Sequence, residues 1–406
     1  MNINLKEIKI KGDKKNSEKF SNYLEQIYAE RTKSKQNQNI INIHHFVIQT
    51  NSKFVVPLIC EWLMQSPYEY KYSFTHESFR FHVLRHSDEV PDILIRESLS
   101  EKFTVVEHLN SIFPKSKSNP HVRYIGEVFE VKSLKEINEY VLSRKITDFE
   151  YELPDSYFKD YIHWTTPSIY TNNQIGYKER SSQERTYLQD KEWNFDDESK
   201  ALFKLSKDMF NNLSLNKYVL PIDHFATRVF SHDRENAILE YLSLTNYWFW
   251  GAYNIGDQNS STNVCRNLQG DDELISPAKV FTANNTPAFL SYIDKLPCPT
   301  ENFVKQYGRR LHHIALAVKD GFIGDPSKNY KNVDFVVDQL KNSHMKFLDH
   351  VIGSCDEGLK QIFSQKSKYS LLITEYIQRC GDFDGFFTQE NVAALTKAAG
   401  EDDLIT

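Results

Sequence analysis

The chain has 406 residues, of which 40% are apolar, 26% charged and 13% aromatic, and its formal net charge is −6. This composition suits a globular protein of two or three domains and excludes a disordered or collagen-like chain. The longest apolar run, Phe54 to Met64, is too short to cross a bilayer and contains Pro57 and Glu61, so no membrane partner is expected.

The first residues, MNINLKEIKIKGDKK, lack the apolar stretch of a secretory signal, and a cytoplasmic location is expected. Residues 1–35 hold nine Lys/Arg against five Asp/Glu. Residues 1–36 therefore read as a basic, solvated extension with no nucleic-acid partner. Cys60, Cys265, Cys298, Cys355 and Cys380 are odd in number and include no CxxC pair, which predicts reduced thiols.

Four short segments repeat along the chain: IHHFVIQT (43–50), IGEVFEVKS (125–133), IDHFATRV (222–229) and LHHIALAV (311–318). Each alternates like a half-buried strand. One position of the repeat holds His45, Gly126, His224 and His313, at intervals of 81, 98 and 89 residues. After the second copy, SLKE (133–136) is a capping box, and Leu134, Ile137 and Val141 share a helical face ahead of the strand-like FEYEL (149–153). After the fourth, Val333, Val336, Val337 and Leu340 form the same stripe before FLDHVIG (347–353). The implied unit is βαβββ. Residues 200–221 between the second and third units predict a helix and a short linker.

The expected fold is therefore α+β, with four βαβββ units paired into two incomplete β-barrel halves. The N-terminal pair spans 37–195 and the C-terminal pair 196–406. If units three and four face each other, their first strands lie side by side, and the final strand-like run, YSLLITEYIQR (369–379), delivers Glu375 to the same wall. His224, His313 and Glu375 would form the two-histidine, one-carboxylate face that suits non-haem Fe(II). A carboxylate among Leu371, Leu372, Ile373 and Ile377 is costly unless a cation balances it. In the N-terminal half Gly126 replaces a ligand, and the position matching Glu375 falls at Leu188, near Glu184. His44 and His45 thus read as structural, and this half as a scaffold.

These residues resemble 4-hydroxyphenylpyruvate dioxygenase, of the vicinal-oxygen-chelate superfamily that also holds glyoxalases and extradiol dioxygenases. The matching segments are IDHFATRV, LHHIALAVKD, DEGLKQIFS (356–364) and ITEYIQRCGDFDGFF (373–387), so the resemblance covers residues 220–395. It implies Fe(II) held by His224, His313 and Glu375, with a 2-oxo acid and O2 as the small-molecule partners. It further implies that Gln361 acts near the substrate and that Phe363 walls the pocket. Asn284, Phe386, Phe387 and Asn391 would complete the pocket under a C-terminal lid helix.

Three departures stand out. The lid stretch reads GFFTQENV and loses two glycines of the family pattern, only about ten residues separate FLDH from KQIFS, and His312 replaces a glutamine. A changed substrate is the consequence expected. Extradiol catechol cleavage and non-catalytic binding are the alternatives, and the sequence leaves homo-oligomerisation open. No HExxH, P-loop, GxSxG or post-strand GxGxxG is present, which leaves zinc protease, nucleotide-dependent and serine hydrolase readings without an anchor.

Overall fold

The structure is a computed structural model that describes residues 11–12, 21–100, 105–143, 162–180, 185, 187, 189–267, 276–290, 295–325 and 330–405. Seventeen strands among these residues form two mixed sheets. They are β1 (Lys11–Gly12), β2 (Ile40–Thr50), β3 (Glu69–His76), β4 (Phe79–Arg85), β5 (Asp92–Ser98), β6 (Arg123–Val131), β7 (Ile162–Trp164), β8 (Gln174–Glu179) and β9 (Lys191–Trp193), followed by β10 (Val219–Arg228), β11 (Tyr247–Ile255), β12 (Ser260–Asn267), β13 (Ala278–Asn284), β14 (Arg310–Val318), β15 (Ile352–Ser354), β16 (Leu359–Phe363) and β17 (Ile373–Arg379). One sheet runs β7-β8-β6-β2-β5-β4-β3-β9, the other β1-β11-β12-β13-β10-β14-β17-β16-β15.

The four repeated segments are β2, β6, β10 and β14. Three complete βαβββ units follow from them, with helices Val55–Gln65, Arg234–Leu244 and Asn332–Asn342. The second unit shows β6, helix Leu134–Ser143, β7 and β8, while FEYEL lies outside the described residues. Local chemistry sets the helix ends. The Ser133 hydroxyl accepts the Glu136 N–H at 3.2 Å, and Asp334 accepts the Lys331 N–H at 2.8 Å. The stripe Val333, Val336, Val337 and Leu340 is fully buried against the sheet.

First strands pair antiparallel in both halves, β2 with β6 and β10 with β14. The helix-covered faces of the two sheets share one core, where the Phe46 ring meets Phe225 at 5.0 Å and Tyr124 at 6.1 Å. A buried Lys279–Glu127 ion pair crosses between the halves. Helix Asp197–Asn212 supplies the element expected within 200–221. Among the described residues no helix is long and apolar enough to cross a membrane.

Three expectations need correction. FLDHVIG forms a strand only from Ile352, because Asp349 and His350 are exposed and the sheet edge is reached later. Cys355 and Cys380, 25 residues apart, are joined as a disulfide, whereas Cys60, Cys265 and Cys298 are free. Nor is the basic arm simply solvated. Helix Ser21–Lys33 buries Leu24, Ile27, Tyr28 and Arg31 against the C-terminal half, and the Tyr28 hydroxyl accepts the Phe249 N–H at 2.8 Å.

Candidate metal centre

Three adjacent strands bring the expected triad together. In the β10/β14 ladder His224 lies opposite Ala315 and Ala226 opposite His313, while in the β14/β17 ladder Ala315 lies opposite Glu375. Directly opposed residues share a sheet face, so His224, His313 and Glu375 project into the same concavity. Ala226 and Ala315 between them leave that space unfilled.

The Nε2 atoms of His224 and His313 lie 3.2 Å and 3.3 Å from the same Glu375 oxygen, Oε2. The candidate ligand atoms all fall within 4.8 Å of one another, and the three side chains are buried. Glu375 Oε1 is buried without a hydrogen-bond partner among the described residues. A buried carboxylate beside two inward-facing imidazoles is a donor set that fits a divalent cation.

Neighbouring groups orient both rings. His224 Nδ1–H donates to Asp223 Oδ1 at 2.6 Å, and Asp223 is gripped by both terminal nitrogens of Arg379. His313 Nδ1 contacts His312 Nδ1 at 2.8 Å. In each ring the Nδ1 side is thus occupied and Nε2 faces Glu375. Burial disfavours the His224 imidazolium, but the Glu375 charge and the Asp223 bond outweigh it and raise His224 to about 9. Burial, then the charges of His224 and Arg228, push His313 well below its usual value. The Asp223 carboxyl lies well below the usual range, because Arg379 and His224 overcome the upward push of burial.

A cavity of about 50 Å³ adjoins His313 and Glu375. Gln361 and Phe363 line it, and the Phe363 ring lies 4.7 Å from that of His313. Both amide atoms of Gln361 are buried without a partner among the described residues. Phe387 lines the cavity too, and the Phe386 and Phe387 rings stand 5.4 Å and 5.3 Å from His224. The Tyr253 hydroxyl fixes this pair by accepting both backbone N–H groups. Helix Gln389–Ile405 forms despite the missing glycines and lines the space with Val392, Leu395 and Thr396.

Two expected pocket residues sit elsewhere. Asn284 spends its amide on the backbone, donating to Asn259 O at 2.7 Å and accepting the Glu301 N–H at 2.7 Å, so it anchors helix Pro299–Tyr307. Asn391 donates to Leu359 O at 3.4 Å and ties the lid helix to β16. His312, noted in the sequence as the replacement of a glutamine, and Arg228 both line the cavity as well. The ladder slips between Ala226 and Thr227, leaving His312 unpaired between Leu311 and His313. Such a bulge lets neighbouring residues turn toward one space, against the strand period of two.

In the N-terminal half the equivalent positions are His45, Gly126 and Gly176, since His45 lies opposite Val128 and Val128 opposite Gly176. Gly176 thus takes the position assigned from the sequence to Leu188. Leu188 and Glu184 lie outside the described residues. Tyr187 fills the space, its ring edge-on to His44 and His45 at 5.7 Å and 5.2 Å.

No protein-family model and no curated protein matches the chain. Solved structures do. A triple mutant of 4-hydroxymandelate synthase from Streptomyces coelicolor is similar at 14% identity and a TM-score of 0.58, over 90% of this chain and 99% of that one. A fusion of a xylose isomerase-like TIM barrel with 4-hydroxyphenylpyruvate dioxygenase is similar at 13% identity and a TM-score of 0.54 over 92% of this chain, which spans 57% of that longer protein. The architecture is the vicinal-oxygen-chelate fold.

Proposed function

We propose that the protein is a non-haem Fe(II) dioxygenase that acts on a 2-oxo acid and O2. The observation that carries the reading is the convergence of two imidazole Nε2 atoms on one buried carboxylate oxygen, at 3.2 Å and 3.3 Å, in a half-barrel closed by phenylalanines. His224, His313 and Glu375 would hold the metal. When bound, Fe(II) supplies Lewis acidity and the electrons that dioxygen chemistry requires. Asp223 and His312 keep the two Nε2 atoms turned inward. Gln361, with both amide atoms uncommitted, orients the polar end of the substrate. Phe363, Phe386 and Phe387 exclude water from the reacting centre. In this reading 196–406 carries the site and 37–195 the scaffold.

A second reading, catechol ring cleavage, draws on His312, which lines the cavity and would serve as the acid-base group that such chemistry needs. Oxygen uptake by Fe(II)-loaded protein, measured with 2-oxo acids and with catechols in parallel, separates the two. Iron analysis of protein purified without chelators tests the premise they share. About one iron per chain is expected, falling to background in His224→Ala while the fold is kept. Unchanged iron in that variant, or an iron-free wild type after Fe(II) supplementation, argues for a non-catalytic binding protein instead.

A further inference from the structure

We infer that the substrate is a 2-oxo acid with a second carboxylate at its far end, received by Arg228. This inference rests on the function proposed above and narrows its substrate class. Arg228 ends β10, four residues or roughly 13 Å of strand beyond His224. It lines the same cavity as His313, Gln361 and Glu375, yet it is only 4% exposed. Its guanidinium carbon sits 4.9 Å from the centre of the Phe303 ring, so one face is covered by an aromatic wall.

Four hydroxyl side chains, Ser260, Thr262, Thr282 and Thr300, line the cavity with Arg228, alongside apolar residues such as Val280, Phe387 and Leu395. An aryl tail would offer the buried guanidinium and the hydroxyls no acceptor. A carboxylate meets the same wall well. The planar fork of a guanidinium matches the two oxygens of a carboxylate, a geometry an aryl ring cannot answer. The hydroxyls add further donors. One carboxylate, with its neighbouring keto oxygen, would belong to the His224/His313/Glu375 end and the other to Arg228.

The test uses the full-length, Fe(II)-loaded protein without oxygen. 2-Oxoglutarate, 2-oxoadipate, 2-oxopentanoate and 4-hydroxyphenylpyruvate are titrated, with binding read from the visible absorption of the metal chelate and from the thermal shift. The two diacids are expected to bind at least ~10-fold tighter than 2-oxopentanoate, which lacks the second charge. In Arg228→Gln that preference should vanish, with diacid affinity down by about 10- to 100-fold, monoacid affinity nearly unchanged and iron content kept. Equal affinity of wild type for diacids and monoacids overturns the inference, as does a variant that weakens both alike. Should Arg228→Gln fail to fold, Thr282→Val and the wild-type series decide, since the diacid preference is measurable without any Arg228 variant. A protein that holds no iron, or forms a chelate with none of the four acids, fails at the level of the proposed function. One that chelates 2-oxopentanoate as well as 2-oxoglutarate fails only here.

Discussion

Gly126 stands on β6 where His313 stands on β14. Each lies opposite the residue two beyond a first-strand histidine, Val47 beyond His45 and Ala226 beyond His224. The two halves share a ladder, yet only one can hold a triad. A Cβ built on Gly126 would lie 1.8 Å from the backbone oxygen of Gln174, so that position excludes every side chain. Gly126→His should therefore fail to create a second centre. Thermal unfolding should show a loss of more than ~3 kcal/mol, and metal analysis of the soluble fraction should still give no more than one ion per chain. Two ions per chain would show that β6 and β8 can part and that the N-terminal half is a dormant site.

Asp223 links the triad to Arg379. Its carboxylate takes the His224 Nδ1 proton at 2.6 Å and fixes the ring with Nε2 inward. Asp223→Asn keeps the shape and removes the charge, and metal affinity should fall by about 10- to 100-fold without unfolding the chain. Competition with a metal-binding dye measures this. Unchanged affinity would mean that packing by Phe386 and Phe387 alone orients the ring.

The repeated strands and two of the helix stripes were readable because period-2 and period-3.6 burial leave marks in any sequence. The triad was readable for another reason. Histidine recurred at one strand position, and Glu375 sat in an apolar run where a carboxylate needs a cation. What escaped depends on register and on long-range geometry. A bulge at His312 breaks the alternation along β14 that would otherwise turn His312 away from the cavity. Gly176 replaces Leu188 because loop lengths differ between the halves, so counting residues cannot carry a ladder position across. Cys355 and Cys380 belong to no motif, and only the β15/β16 turn and the end of β17 bring their Cα atoms to 5.3 Å. Asn284 belongs to the right strand, but its amide is committed to the backbone of neighbouring loops.

Arg31 is the buried anchor of the N-terminal helix. It donates to Leu242 O at 3.1 Å, to Tyr247 O and to Asn37 Oδ1 at 2.8 Å, and its guanidinium lies 4.7 Å from the Trp248 ring centre. Arg31→Ala would leave two buried carbonyls without this donor and open a void beside Trp248. A loss of about 2–4 kcal/mol in urea unfolding is expected, with iron content unaffected because the contact lies on the face of the sheet away from the triad. A change below about 0.5 kcal/mol would return this segment to the status of a solvated arm.

Glu240 should make stability depend on pH. Burial raises its carboxyl from 4.5 to about 7, against a hydrogen bond donated by Ser168. The charged side chains that share its cavity, Glu127 and Lys279, are paired with each other. In the unfolded chain the proton leaves near 4.5, whereas the folded protein keeps it until about 7. Between those values the unfolded state binds fewer protons, so stability falls as pH rises and levels off above the folded value. The loss from this one group is about 3 kcal/mol at most. Glu240→Gln keeps an acceptor for Ser168 and removes the titration. Urea unfolding should find the variant close to wild type at pH 4 and more stable than wild type at pH 8. Parallel stability curves from pH 4 to 8 would mean that Glu240 ionises as freely in the folded protein as in the unfolded chain.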